Sequence, residues 1–147
     1  MSAKGIRDID VIRTFVLQGT LNFTRYFFKI RQKRKFVIGK HHREIAAALD
    51  KVLCGEITRL IINIAPRYGK TELAVKNFIA EGLAINPKAK FIHLSYSDDL
   101  ARDNSRGVQD IINEPEYRRI FPATIPTSTN TKKWYTTEGG GLYAVSS

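Results

Sequence analysis

The sequence predicts an α/β fold, with helices in the first third of the chain and a mostly parallel sheet after them. Apolar residues recur at helical spacing in His41–Cys54. Two short apolar runs that are typical of strands, Leu60–Ile64 and Lys90–Tyr96, are separated by a helix-forming stretch, Glu72–Ala84. A strand, a helix and a second strand in this order predict a parallel pair joined by a right-handed crossover.

Three helices are expected before residue 56, because apolar stripes there end at turn-forming residues. The predicted helices are Asp8–Gln18, Phe23–Arg31 and His41–Cys54. Asn22 is placed to cap the second helix, and Gly55 is placed to end the third. The short run Phe36–Ile38 between them is predicted to be extended.

The last third of the chain predicts two helices and a C-terminal β-hairpin. The predicted elements are the helices Asp98–Asn113 and Glu114–Ile120 and the strands Lys132–Thr137 and Leu142–Ser146. Ser97 is suited to cap the first of these helices. The glycines of Gly139–Gly141 suggest either a hairpin turn or a second phosphate loop, and the hairpin is favoured because no helix follows them.

A phosphate-binding loop is predicted between the strand Leu60–Ile64 and the helix Glu72–Ala84. Its residues, predicted to bind the nucleotide, are Pro66, Arg67, Tyr68, Gly69, Lys70 and Thr71. In such loops the backbone N–H groups and the helix N-terminus face an anion. Lys70 would then reach the β and γ phosphates, and the Thr71 hydroxyl would hold Mg²⁺.

The match to the usual pattern G-x-x-x-x-G-K-[ST] is incomplete. Ile64 stands where that pattern has its first glycine. The alternative is that Gly-Lys-Thr opens a helix by chance. The apolar run before it and the helix-forming run after it favour the phosphate loop.

Charge and composition favour a cytoplasmic protein with a polyanionic partner. The 147 residues carry a net charge of +10, and residues 1–50 hold 11 basic against 4 acidic residues. The densest basic run, Lys29–Lys35, suggests either a nucleic-acid contact or a solvated helix end. No apolar run reaches the ~20 residues that span a bilayer, and Met1–Lys4 lead into no secretory signal. With Cys54 alone, no internal disulfide can form.

Two other pairs of residues are compatible with a metal site, and the position of each pair can also be explained without a metal. His41 and His42 suggest metal ligands, but adjacent helical residues are expected to point apart, so a polar cap or a contact with a base is favoured. Asp98 and Asp99 follow a predicted strand, where an Mg²⁺-binding acid would lie. Both also fit a helix N-terminus, where acids favour the dipole.

Several segments in order resemble the large terminase subunit of tailed bacteriophages, the motor that packages DNA. The segments that carry the resemblance are Gly39–Ile45, Arg59–Leu73, His93–Arg102, Tyr117–Pro122 and Gly139–Tyr143. The resemblance implies a P-loop NTPase of the additional-strand type, with ATP and Mg²⁺ as cofactors. It also implies that Arg67 senses the γ-phosphate beside Lys70, and that an adenine-contacting segment lies near His41 and His42.

The resemblance further implies double-stranded DNA, a small terminase subunit and a portal protein as partners. Residues 1–55 would be a basic helical region, and residues 56–147 an incomplete ATPase domain. The acidic Mg²⁺ strand, the catalytic glutamate and the nuclease domain of full-length members are not found in the sequence. We therefore expect a front portion with little ATP hydrolysis of its own. The alternatives are a helicase-like ATPase, similarly truncated, and a non-catalytic DNA-binding prophage remnant.

Overall fold

The computed structural model describes residues 7–147 and shows a mixed α/β fold. The helices are α1 (Asp8–Val16), α2 (Thr20–Gln32), α3 (Lys40–Leu53), α4 (Phe78–Ile85), α5 (Asp98–Ile112) and α6 (Pro115–Ile120). The strands are β1 (Lys90–Ser95), β2 (Lys133–Tyr135) and β3 (Gly141–Ser146). A π-helical segment, Glu72–Asn77, leads into α4, so the backbone is helical throughout residues 70–85. Met1–Lys4, on which the expectation about a secretory signal rests, lie outside the described residues.

The predicted helices are confirmed within a few residues, but one predicted cap is wrong. The helix α2 begins at Thr20, before Asn22. Its first turn is capped from another helix, because Asp50 Oδ1 in α3 accepts bonds from Thr20 N (2.8 Å) and Thr20 Oγ1 (2.9 Å). The predicted cap of α5 is confirmed, since Ser97 Oγ accepts a bond from the backbone N–H of Leu100 at 3.4 Å.

The predicted strand Leu60–Ile64 is wrong. Its residues pair with no strand in the part of the chain that the structure describes. Ile62 and Ile64 pack against a small cluster formed by α3 and Leu73, whereas Ile61 is 85% exposed. Ile62 and Ile64 thus pack against helical residues, whereas the backbone of this run has no neighbouring strand with which to form β-sheet hydrogen bonds.

The observed strand pairing also differs from the prediction, which was a parallel pair of Leu60–Ile64 and Lys90–Tyr96. The sheet has the order β1-β3-β2, in which β1 lies parallel to β3 and β2 lies antiparallel to β3. The C-terminal hairpin is therefore confirmed, whereas a mostly parallel sheet is not, because one of the two strand pairs is antiparallel. The helix α5 packs on β1 and β3. On the other face Ile92, Leu94 and Tyr143 are exposed.

The main core joins the N-terminal helices to the last helices and the sheet. The rings of Phe23 and Phe27 in α2 lie against Tyr117 in α6, at centroid distances of 6.3 Å and 5.5 Å. Tyr117 donates its hydroxyl to the backbone oxygen of Ala80 (2.8 Å), which satisfies the buried phenol. This packing fixes α2 and α4 relative to each other, and residues 70–85 are thereby held at the N-terminal helices.

Candidate functional site

The segment from Pro66 to Gly69 is a tight turn in front of the helical run of residues 70–85. Arg67 has φ +67° and Gly69 has φ +78°, whereas the intervening Tyr68 has no positive φ. Such alternation of φ sign turns successive backbone N–H groups toward a common side, as in anion-binding nests. The backbone oxygen of Gly69 accepts from Leu73 N at 3.0 Å, so the helical hydrogen bonds begin at the turn itself.

The turn is held by a histidine from the first turn of α3. His42 Nδ1 accepts a bond from Gly39 N (2.8 Å), and His42 Nε2 lies 2.7 Å from the backbone oxygen of Tyr68. Since Nδ1 is an acceptor, the neutral ring carries its proton on Nε2 and donates it to Tyr68. Burial lowers the pKa of His42 below its ordinary value of 6.5, the bond to Tyr68 opposes that shift, and the neighbouring His41 adds to it. The ring is therefore neutral at pH 7.

The expectation that His41 and His42 point apart is wrong. Their ring centroids are 3.8 Å apart, and His41 Nε2 lies 3.1 Å from His42 Nε2 and 3.2 Å from the oxygen of Tyr68. Both side chains bend toward the turn, because its carbonyl offers an acceptor to the start of α3. The polar cap, one of the two alternatives that the sequence favours, is confirmed by the bond from Gly39 N to His42 Nδ1, and both histidines also link α3 to the loop.

A cleft of about 390 Å³ opens beside the turn. Its lining residues are Phe28, Arg34, Lys35, Phe36, Val37, Ile38, Gly39, His41, His42, Arg67, Tyr68 and Gly69. Of the predicted nucleotide-binding residues, it brings together Arg67, Tyr68 and Gly69. Pro66, in the turn, and Lys70 and Thr71, at the start of the helical run, are exposed and do not line the cleft.

No family model, curated protein or solved structure matches this chain.

The sequence interpretation missed a partly buried ion pair behind the loop. The run Lys29–Lys35 suggests a solvated helix end or a nucleic-acid contact, yet the Arg31 side chain is only 9% exposed and pairs with Glu72. Glu72 also accepts a bond from Asn77 Nδ2 at 3.0 Å, and Lys76 Nζ lies 4.0 Å away. Asn77 Nδ2 bonds to the backbone oxygen of Glu72 as well (2.8 Å), inside the π-helical segment. The residue that follows Thr71 is thereby tied to α2.

The acids Asp98 and Asp99 lie in the first turn of α5, as their role at a helix N-terminus predicts. Asp98 Oδ2 accepts a bond from Arg102 Nε at 2.7 Å. Within residues 7–147 no group of three or more His, Cys, Asp or Glu side chains is arranged to hold a metal ion. The helix N-terminus and the bond from Arg102 account for the position of the Asp98 side chain.

A second groove, of about 230 Å³, lies beside α2. It is lined by Phe15, Arg25, Tyr26, Lys29, Lys35 and Phe36. Arg25 and Lys29 are one helical turn apart and exposed. Neither they nor Lys33, Arg34 and Lys35 form an ion pair with any described carboxylate. Helix α2 therefore presents a basic surface to solvent.

No helix among residues 7–147 combines the length and the apolar character needed to cross a bilayer.

Proposed function

We propose that this chain is the ATP-binding part of a large terminase subunit, which powers DNA packaging in tailed bacteriophages when it is complete. The observation that carries the proposal is the turn at Arg67–Gly69, whose φ signs alternate and whose last residue begins a helical run. Alternating φ gathers N–H groups for an anion, and a helix N-terminus adds partial positive charge there. The reason for proposing this particular motor is that five segments, in the same order along the chain, resemble the large terminase subunit.

The proposed roles follow from where each residue lies. The amides of Gly69, Lys70 and Thr71 would hold the β and γ phosphates, and the Thr71 hydroxyl would hold the Mg²⁺ that accompanies ATP. Lys70 is exposed and forms no ion pair with a described carboxylate, so its ammonium can reach a phosphate. Arg67 lines the cleft and would contact the γ-phosphate, where a cation stabilises the developing charge.

The cleft beside the turn would take the base. Phe36, His41 and Tyr68 line it, and planar side chains stack on a purine. The Phe36 ring lies 5.0 Å from that of His42, which holds the same turn, so the base and the phosphates would occupy neighbouring positions. This arrangement also fits the adenine-contacting segment that the resemblance implies near His41 and His42.

Nucleotide binding is tested by the shift of the melting temperature with Mg-ATP. At ten times its dissociation constant, a ligand adds about 1.4 kcal/mol to the free energy of unfolding. We expect this stabilisation in the wild type and not in Lys70→Ala, whereas Lys88→Ala, an exposed lysine outside the loop, keeps it. Arg67→Ala should weaken the binding of ATP more than that of ADP, because one of the contacts to the γ-phosphate is lost. A wild type that Mg-ATP does not stabilise would refute the proposal.

A second candidate function, a non-catalytic DNA-binding module, is favoured by the basic surface of α2. Cations without ion-pair partners are free to bind phosphates, and Arg25, Lys29 and Lys35 border one groove. Double-stranded DNA is also the partner that the motor would move, so the two functions share this surface. The small terminase subunit and the portal protein remain partners by resemblance alone.

DNA binding is tested by the dependence of affinity for a duplex on salt. Each phosphate contact contributes about 0.9 to the slope of log K against log salt concentration. Arg25→Gln/Lys29→Gln should therefore lower the slope by about 2 and weaken binding. The matched control is Lys88→Gln/Lys132→Gln, which removes the same charge from other exposed positions. Equal losses in both double variants would show that net charge, and not α2, causes the binding.

A further inference from the structure

We propose that His42 sets the orientation of the Tyr68–Gly69 peptide, so that the loop presents an N–H group and not a carbonyl to the nucleotide phosphates. The inference rests on the proposed ATP binding and assigns His42 as a positioning residue for it. In a trans peptide the C=O and the following N–H point in opposite directions. A group that holds the Tyr68 oxygen on one side therefore holds the Gly69 N–H on the other.

The Tyr68 oxygen is held firmly. His42 Nε2 lies 2.7 Å from it, and the opposite ring nitrogen is engaged at 2.8 Å by Gly39 N. With both nitrogens bonded to backbone groups, the imidazole cannot turn without losing a hydrogen bond, and His42 is only 6% exposed. The two backbone groups belong to separate segments, one before α3 and one in the turn.

The Gly69 N–H is available to a ligand. In the described part of the chain it donates to no protein acceptor. Its residue packs closely on the same imidazole, because a Cβ built on Gly69 would lie 2.9 Å from His42 Nε2 and 3.4 Å from Phe36 Cζ. The peptide is thus confined between the ring and the open side of the turn.

Losing the contact between His42 and the Tyr68 oxygen would change which backbone group faces the phosphates. A peptide free to flip would present the Tyr68 oxygen, which repels phosphate, in place of an N–H that binds it. A hydrogen bond to a charged group contributes about 1.5–3 kcal/mol. We therefore expect ATP to bind about 10- to 100-fold more weakly when the peptide is not held.

The test compares His42→Asn with His42→Gln by calorimetric titration with Mg-ATP and with adenosine. The amide nitrogen of glutamine can take the place of Nε2 and donate to Tyr68, whereas asparagine is too short. We expect His42→Asn to weaken ATP binding about 10- to 100-fold and His42→Gln to restore most of it. Adenosine, which has no phosphate, should bind all three proteins alike. His93→Asn is the control and should leave ATP binding unchanged, because His93 bonds to Asn104 and does not line the cleft.

The peptide orientation itself is measured by the residual dipolar coupling of the Gly69 N–H in weakly aligned protein without nucleotide. It should change in His42→Asn and return in His42→Gln, with melting curves verifying that each variant is folded. An unchanged coupling, equal ATP affinity in His42→Asn, or an equal loss for adenosine would overturn the role of His42 alone. A wild type that binds no Mg-ATP would overturn the proposed function together with this inference.

Discussion

Glu81 offers the sharpest test of the packing that holds the loop helix in place. This glutamate in α4 is 1% exposed, and its Oε2 has no hydrogen-bond partner among the described residues. Burial raises its pKa from 4.5 to about 7, the Thr20 hydroxyl opposes that rise, and the charge of Asp50 adds to it. The folded protein therefore keeps Glu81 protonated at pH values where the unfolded chain ionises it.

The sign of the pH dependence follows from this raised pKa. The stabilisation is complete below the unfolded pKa of 4.5 and is lost as the pH rises through the folded pKa of about 7. The difference of roughly 2.5 pKa units corresponds to about 3 kcal/mol. Glutamine resembles the protonated acid and does not ionise. Glu81→Gln should therefore match the wild type at pH 4 and exceed it by about 3 kcal/mol at pH 8.

The assay is urea denaturation of both proteins from pH 4 to pH 8, supported by melting curves. For a chain of this size, about 3 kcal/mol corresponds to an increase of roughly 10 °C in melting temperature at pH 8. Glu138→Gln, on the exposed β-hairpin, is the control and should show no such divergence. If the difference between Glu81→Gln and the wild type does not change with pH, Glu81 is ionised in the folded protein and the reasoning fails.

Two further predictions concern the surroundings of the loop. Arg31→Met leaves Glu72 without its guanidinium and should lower the free energy of unfolding by about 2 kcal/mol. Arg31→Met/Glu72→Met should recover most of that loss, and an equally unstable double variant would contradict this account of the pair. Gly69→Ala should weaken ATP binding, because its Cβ meets His42 Nε2 at 2.9 Å and its φ of +78° disfavours a side chain. Gly55→Ala, with φ +81° and no atom within 4 Å, has the same backbone cost and should bind ATP normally in the same titration.

Much of the fold was predictable because it depends on residues close together in the chain. The apolar spacing of α1 and α3, the Ser97 cap of α5 and the glycines of the hairpin are local signals, and they locate these elements to within a few residues. The predicted strand Leu60–Ile64 shows the limit of such signals. An apolar run indicates burial, but whether it joins a sheet depends on a neighbouring backbone that the run does not specify.

By itself, the sequence determined the helices, the hairpin and the turn with a glycine before Lys70, since each depends on local periodicity or on a local need for positive φ. The tertiary structure alone decided that β1 pairs with β3, that Asp50 caps α2, that Arg31 pairs with Glu72 and that His42 holds Tyr68. The physical reason is that these contacts join residues 26 or more positions apart. These residues meet only when the helices and strands pack, and the spacing of residues within one segment does not specify which of them will meet.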